Sequence, residues 1–399
     1  MYDFSPTVEQ EELLAKAKKI MEEDVYPAEK YIVPGVGLPN EILKPLQQKV
    51  KDQNLWAAHL PEHIGGLGLG NVFLGLLNEQ LGSSPIGPRV FGTAAPDTGN
   101  TEILLNAGTQ EQIDKYLKPV IDDEIRSCFA MTERDVSGAD PTGLQTTAVK
   151  EGNEWVINGR KWFISNAGLS SFAIVMAVTN PDAAPHERAS MFLVDIGTPG
   201  FNLIRDIEVM GDFSEGGHWE IEFDNCRIPE ESILGKVGEG FKLAQMRLGP
   251  GRITHAMRWL GVMNRSFDLM LDYALKRKTR GKPLAEFQSI QNFIADSAAE
   301  MSASRLMTLH AAWKMDQGLD ARKEIALIKF YGAKILNDII SRAIQVHGSL
   351  GYSKDTPLEA FYREGRAAHI YDGPDEVHRM VVAKRILKEY KNKNKDILV

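Results

Sequence analysis

The sequence predicts a mainly helical α+β protein in three parts: an N-terminal helical domain over residues 1–126, a middle antiparallel β domain over 127–236, and a C-terminal four-helix bundle over 237–399. The period of the apolar residues carries this division. It is near 3.6 residues up to about Arg126 and again from Gly238, and shifts to 2 between Ser127 and about Leu234. Turns rich in Pro and Gly punctuate the helical parts, and a chain of 399 residues has length for roughly two or three domains.

In the first part the helical pattern covers Glu9 to Met21, Asn40 to Asn54, Val72 to Leu81 and Thr109 to Val120. The glycine-rich run from Gly65 to Gly70 interrupts it. That run lacks the G-x-G-x-x-G spacing of a dinucleotide-binding turn and follows no clear strand, so it reads as a loop. Strand-like runs then appear at Leu144 to Lys150, Glu154 to Ile157, Phe172 to Thr179, Ser190 to Ile196 and His218 to Phe223. Turns are expected at Gly152-Asn153, Asn158-Gly159 and Asn180-Pro181. Long helices follow at about Arg252 to Arg277, Ile290 to Asp316 and Ala321 to His347, the first opened by Gly249-Pro250-Gly251. Its Ile253, Met257, Leu260, Phe267 and Leu271 fall along one face, as bundle packing requires. Pro357 to Ile370 and Val377 to Tyr390 complete the pattern, and a Lys- and Asn-rich tail, Lys388 to Lys395, is expected to fray.

Composition excludes several function classes. Hydrophobic residues make up 43% and charged residues 25%, ordinary values for a soluble globular protein, and no apolar run reaches the roughly 18 residues a membrane span needs. A formal charge of -8, with Lys and Arg scattered among acids, argues against general nucleic-acid binding. The two cysteines, Cys128 and Cys226, lie far apart without CxxC spacing or a nearby histidine pair, so neither a disulfide framework nor a metal site is expected. The acidic N-terminal stretch has neither the apolar core of a signal peptide nor the basic face of a transit peptide, and the cytoplasm is the expected location.

One stretch can aim a carboxylate into a cleft. Tyr371-Asp372-Gly373-Pro374-Asp375-Glu376-Val377 joins two helical segments. Gly373 admits backbone conformations that other residues avoid, Pro374 suits a first helical turn, and Asp375 can cap the helix that follows. The plain alternative is a capped helix–helix connection with no chemistry.

Specific motifs accompany this order of elements. Asn54-Leu55-Trp56 precedes Pro61-Glu62-His63-Ile64-Gly65-Gly66; Phe129-Ala130-Met131-Thr132-Glu133 and Trp155 to Asn166 (WVINGRKWFISN) follow. Ile228-Pro229, Gly238-Glu239-Gly240-Phe241, Arg277 to Leu284 (RKTRGKPL), Gln345-Val346-His347-Gly348 and Tyr371-Asp372-Gly373 complete the series. With these motifs in this order, the whole chain resembles the acyl-CoA dehydrogenase family. The resemblance implies FAD-dependent oxidation of the Cα–Cβ bond of an acyl-CoA in fatty-acid β-oxidation, with electrons passed to an electron-transferring flavoprotein. It also implies a homodimer or homotetramer.

By resemblance, Asp372 stands where the family has a catalytic Glu, takes the α proton, and offers its own N–H to the thioester carbonyl. Asp is shorter by one methylene. The family's alternative position for the Glu matches Gly251, which carries no carboxylate, and Asp375 and Glu376 suit helix capping better. Arg252 matches an arginine near the base, and Gly373 and Ser137 fall at substrate positions. Phe129, Met131 and Thr132 match the strand that edges the isoalloxazine, Phe163 its aromatic wall and Ser165 the hydroxyl on its N5 side; Gly138, Pro374 and Glu376 are further cofactor positions. The adenine end of FAD is held across a subunit boundary in the family, by residues matching Arg277, Thr279, Gln288, Gln345 and Gly348. Departures from the pattern are Arg134 for a usual Pro, a loop one residue longer at Thr132 to Asp140, Ala139 for Ser, Arg280 for an aromatic, and Ser349 for Gly. His255, His369 and His378 flank these motifs without metal-ligand spacing and read as packing or solvent residues.

Two rival readings remain. Relatives with an Asp base include nitroalkane oxidase, which passes electrons from FAD to oxygen, and a flavin-free helical interaction protein would keep the fold without the chemistry.

Overall fold

The computed structural model describes residues 3–210 and 215–393, and the chain folds into two compact units. Residues 1–27, 69–88 and 252–399 make one; residues 28–68 and 89–251 make the other. Elements of the N-terminal helical region are thus shared between both.

In the helical unit, α1 (Val8–Ile20) starts at a reciprocal cap: the Thr7 hydroxyl accepts the Gln10 N–H at 3.3 Å and the Gln10 side chain accepts the Thr7 N–H at 3.1 Å. In the other unit lie α2 (Asn40–Asp52) and α4 (Asp97–Ala107). Between them in sequence, α3 (Gly70–Leu81) returns to the helical unit, where the Asp316 carboxylate accepts its Asn71 and Val72 N–H groups at 2.6 and 2.9 Å. A carboxylate there satisfies donors that the first turn leaves open.

The bundle is built from α5 (Gly240–Lys276), α6 (Gln288–Asp316), α7 (Arg322–His347), α8 (Leu358–Ala367) and α9 (Asp375–Lys393). Helix α7 packs against α6, α8 and α9 and is apolar around most of its circumference, which is the pattern of a buried helix. Met257, Leu260, Leu309, Ile328 and Ile339 meet in its core. The tail expected to fray is helical to Lys393; its last two residues, like residues 1–2 and 211–214, lie outside the described residues. No helix among the described residues is long and apolar enough to cross a membrane.

The second unit is organised by one eight-stranded sheet: β1 (Ser127–Ala130), β2 (Thr147–Glu151), β3 (Glu154–Ser165), β4 (Phe172–Val178), β5 (Ala189–Asp195), β6 (Phe201–Asp206), β7 (His218–Pro229) and β8 (Ile233–Leu234). The order is β6-β7-β3-β2-β4-β5-β8, antiparallel except that β1 and a single β2 pairing run parallel to β4. Along β4, Phe172, Ile174 and Met176 face a cluster shared with α4, while Ala173, Val175 and Ala177 face Phe192, Phe223 and Ile228. A strand buried on both faces needs no polar alternation, which is why it reads as an unbroken apolar run.

Three expectations need correction. Asn158-Gly159 is no turn, because β3 runs through it opposite a bulge in β7: Ile157 pairs with Cys226 and Gly159 with Phe223. The Asn158 side chain accepts the Asn225 N–H at 2.8 Å, and a Cβ on Gly159 would stand 2.6 Å from Thr146 Oγ1, so only glycine fits. Gly249-Pro250-Gly251 does not open α5, which starts at Gly240 and continues through Pro250; the ring forfeits a helical N–H but not the helix. Arg252 is therefore an interior helical residue. Finally, α4 was not expected, its Asp-Thr-Gly-Asn-Thr start being poor in helix formers.

Candidate active site

In the helical unit the site begins with the break between α8 and α9. Asp372 has φ 54° and Gly373 φ 98°, so two successive residues occupy the left-handed region. A Cβ on Gly373 would fall 2.9 Å from His378 Nε2, which reserves the position for glycine. For Asp372 the conformation is strained but open to a short polar side chain, and strain of this kind concentrates at functional sites.

What holds the turn is a set of donors aimed at its carbonyls. Arg252 Nε donates to the Asp372 carbonyl at 3.0 Å, and His378 Nε2 lies 3.1 Å from the same oxygen. A carbonyl only accepts, so the His378 proton sits on Nε2. Burial, with help from Arg252, pushes the His378 pKa down to about 4, and the ring is neutral at pH 7. Beneath the turn, Lys329 is 0% exposed and its Nζ donates to the carbonyls of Ala368 at 2.6 Å and Gly373 at 3.3 Å. Burial pushes this lysine down to about 8, against the attraction of Asp372 and Asp375. Its ammonium also lies over the rings of Trp259 and Tyr371, whose hydroxyl accepts from Trp259 Nε1 at 2.7 Å.

The side chain of Asp372 is left for chemistry. His255 Nε2 is 3.5 Å from its Oδ2, and among the described residues the Asp372 N–H meets no acceptor. Asp375 is occupied otherwise, accepting from His369 Nδ1 at 2.8 Å and Arg379 at 3.4 Å, while Glu376 is exposed on the first turn of α9 and Pro374 just precedes it. The three histidines are therefore no mere packing or solvent residues: His255 and His378 address Asp372, and His369 addresses Asp375. Arg252 and His255, three apart on α5, share a helix face, and that spacing was the available signal for His255.

In the sheet unit, a wall forms at the end of β3. Phe163 has φ 63° at a second bulge, is 43% exposed, and stacks on the half-buried His218 ring at 4.7 Å and 24°. A bulky residue with positive φ is rare and here turns a flat ring outward. Two residues on, Ser165 Oγ lies 2.9 Å from His218 Nδ1. Burial lowers the His218 pKa.

Thr132 is tied to the same wall, since Trp162 N–H donates to its carbonyl at 2.8 Å and its hydroxyl donates to the Trp162 carbonyl at 2.5 Å. Phe129 lies on β1, paired along one edge only among the described strands, under the Arg247 guanidinium at 4.4 Å; Met131 follows that strand. Ser137 and Gly138 lie in an exposed loop. Arg134, one of the departures, stacks on Trp162 at 5.4 Å, opposite family practice but with a clear local partner.

Behind the wall, Lys161 is 0% exposed and donates to the Glu133 carboxylate at 2.8 Å and the Met131 carbonyl at 3.0 Å. Glu133 also accepts the N–H groups of Gln145 and Thr146.

The remaining cofactor candidates sit apart from Asp372 on the helical unit's surface. Arg277 and Thr279 are at the hairpin of β9 (Lys278–Thr279) and β10 (Lys282–Pro283), Gln288 starts α6, and Gly348 follows α7. Gln345 lines an open cleft of about 360 Å³ with Phe293, Asp338, Ser341 and Arg342.

An outward aromatic face, a hydroxyl beside it and a strand edge with peptide groups to spare suit the planar, hydrogen-bonding ring system of a flavin. The fold and this donor set define an FAD-dependent oxidoreductase. The sequence matches the N-terminal domain of acyl-CoA dehydrogenases over residues 7–124, the middle domain over 128–226 and the C-terminal domain over 238–387. It is 44% identical over 356 residues to a Mycobacterium tuberculosis protein named probable acyl-CoA dehydrogenase FadE2, covering 88% of this chain and 87% of that one. The fold aligns with butyryl-CoA dehydrogenase from Megasphaera elsdenii at a TM-score of 0.85 and 28% identity, over 97% of this chain and 100% of that one. It aligns with PigA, solved with FAD and proline, at 0.84 and 25% identity, over 96% and 99%. The chain belongs to the acyl-CoA dehydrogenase family. It spans about half the length of some other curated relatives that it matches.

Proposed function

We propose that this enzyme oxidises the Cα–Cβ bond of an acyl-CoA thioester, with Asp372 as the α-proton base. The observation that carries the reading is the division of labour at Asp372: its carbonyl is gripped by Arg252 and His378, while its carboxylate and N–H are left to a substrate. Bound FAD would supply the acceptor for the β hydride and, through it, a route for electrons to an electron-transferring flavoprotein. Phe129, Met131, Thr132, Phe163 and Ser165 would hold its ring system, with Gly138, Pro374 and Glu376 as further contacts. Arg277, Thr279, Gln288, Gln345 and Gly348 would hold the adenine end of a cofactor shared across a homo-oligomer.

The protein's own contribution is positioning and electrostatics. The Asp372 N–H donates to the thioester carbonyl, the oxygen on which charge develops as the α proton leaves, and the Arg252 charge at the carbonyl of the same residue favours that charge. The carboxylate then holds the proton at an oxygen one methylene closer to the backbone than a Glu would place it. Gly373 lets the backbone turn sharply after Asp372, and Ser137 would be a further substrate contact.

Asp372→Asn tests the base. The amide is isosteric and retains the N–H, so the fold, FAD content and thioester affinity should persist. Flavin reduction in anaerobic stopped flow should slow roughly 10²- to 10⁴-fold. Full-rate reduction would move the base elsewhere. An Asp base also favours a second reading, oxidase chemistry on a nitroalkane, and reduction by a nitroalkane but by no acyl-CoA would select it.

A further inference from the structure

We propose that His255 is a positioning residue for Asp372: it holds the shorter carboxylate at the reach proton abstraction needs, and its own protonation state governs how strong a base that carboxylate is. This rests on the reading of Asp372 as the base.

The geometry points to it from three sides. His255 Nε2 stands 3.5 Å from Asp372 Oδ2, at ion-pair distance and near the limit of a hydrogen bond. Its ring packs on Tyr371, 4.9 Å away and tilted 50°, and Tyr371 is itself fixed by Trp259 one turn further along α5. Arg252, one turn back on the same helix, binds the Asp372 carbonyl. One helix face thus sets both ends of the residue, the backbone through Arg252 and the side chain through His255. Neither His255 nor the Asp372 carboxylate is sealed off, with side chains 23% and 19% exposed, so protons can exchange with solvent.

The chemistry follows from the charge of the ring. A neutral imidazole with its proton on Nε2 donates one hydrogen bond and leaves the carboxylate able to take the α proton. An imidazolium at the same distance adds a full positive charge, stabilises the ionised carboxylate and makes it a poorer base. Flavin reduction should therefore fall as pH drops and the ring takes up its proton. No bond other than O–H and C–H changes in the step: the α proton moves from carbon to Asp372, with the electron pair left on the substrate.

Other titratable groups face the same place. Arg252 from α5 stays charged, although burial lowers its pKa. Tyr371 in the turn is pushed upward by burial and stays neutral. His378 from α9 titrates near 4 and Lys329 from α7 near 8. Asp375 is paired with His369, which answers to that carboxylate. Because His369 is a second imidazole at the turn, substitution of His255 has to decide.

The experiment measures anaerobic flavin reduction by an acyl-CoA against pH for wild type, His255→Gln and His255→Leu, with FAD content and thioester affinity measured on each. The Gln variant keeps a donor without a titrating charge. It should retain a rate within about threefold of wild type at pH 8 and lose the acid-side fall. The Leu variant should reduce at least tenfold more slowly across the range with thioester affinity little changed, since a misplaced base loses rate rather than binding. An acid limb that survives in Gln, its absence in wild type, or a Leu variant at full rate overturns the inference. Asp372→Asn, run alongside, separates the two claims. If it is slow while both His255 variants match wild type, only His255 is wrongly assigned; if it reduces at full rate, the base assignment itself fails.

Discussion

Removing the Glu133 carboxylate should damage the flavin wall from behind, by an amount the structure allows one to work out. In Glu133→Leu, Lys161 keeps one acceptor, the Met131 carbonyl, and the N–H groups of Gln145 and Thr146 lose theirs at a residue only 7% exposed. Breaking a buried pair on one side costs about 3–5 kcal/mol, because the surviving charge stays desolvated. For a domain of roughly 200 residues each kcal/mol moves Tm by about 2–4 °C, so a fall of roughly 6–20 °C is expected. Since Lys161 also holds Met131, and Thr132 is bonded to Trp162 beside it, FAD should be lost more readily.

Adding Lys161→Met should recover much of the loss, because two apolar side chains in place of a buried pair are often neutral. Acid should erase the difference. Burial acts to raise the Glu133 pKa, but the Lys161 charge and the hydrogen bonds outweigh it and hold the group below its ordinary 4.5. A carboxylate depressed in this way contributes its stabilisation above the unfolded value and loses it as pH falls through the folded one. The gap between wild type and variant should therefore be full at neutral pH and close below about 4.5. Burial pushes Lys161 down to about 8, against Glu133, so both partners are charged at pH 7. Circular-dichroism melts with flavin content at each pH supply the check. A single variant within 2 °C of wild type (less than about 1 kcal/mol), or a double variant as unstable as the two single losses added, would refute the paired-charge account.

Two further outcomes follow. Arg277→Ala removes an exposed charge at the end of α5; if it serves a cofactor shared between subunits, FAD content and sedimentation coefficient should fall together, and a change in neither would end the shared-site proposal. His218→Phe keeps a ring behind Phe163 but removes the bond to Ser165, so FAD should leave several-fold faster, about 1 kcal/mol, as read by flavin fluorescence on dilution; an unchanged release rate would mean that the Ser165 contact does not hold the flavin.

Much of the architecture was legible because it depends on local repetition. The short apolar run in Ala189–Asp195 and the 3.6 period in Arg322–His347 survive in the fold. What escaped was where context overrides local signal. Asn158-Gly159 has turn chemistry, yet Cys226 and Phe223 across the sheet keep the strand going. The strand Phe201–Asp206 is mostly exposed and polar, so it offered no alternation to read. Within the site, the position of Asp372 followed from motif resemblance, and the turn from Gly373 and Pro374. The residues that control it did not. His255 and Lys329 lie 117 and 43 residues upstream of Asp372 by their numbers, and only packing of α5 and α7 against the turn brings them there.

That packing supports the proposal that a strained residue serves as the base. The cations nearest the turn, Arg252 and Lys329, bind main-chain carbonyls, those of Asp372, Ala368 and Gly373, and neither is hydrogen-bonded to the carboxylate. Had either guanidinium or ammonium paired with the Asp372 side chain directly, the carboxylate would be a weaker base and less free to reach a substrate. Bound to the backbone, the same charges hold a turn whose left-handed φ would otherwise relax, and on the proposed reading they place a positive field beside the residue whose N–H is offered to an oxyanion. The neutral His378 completes the grip on the Asp372 carbonyl without adding charge. Rigidity is thus supplied through the main chain, and under the inference above the His255 imidazole, at ion-pair distance, adds its own tuning of the carboxylate to the field of Arg252 and Lys329.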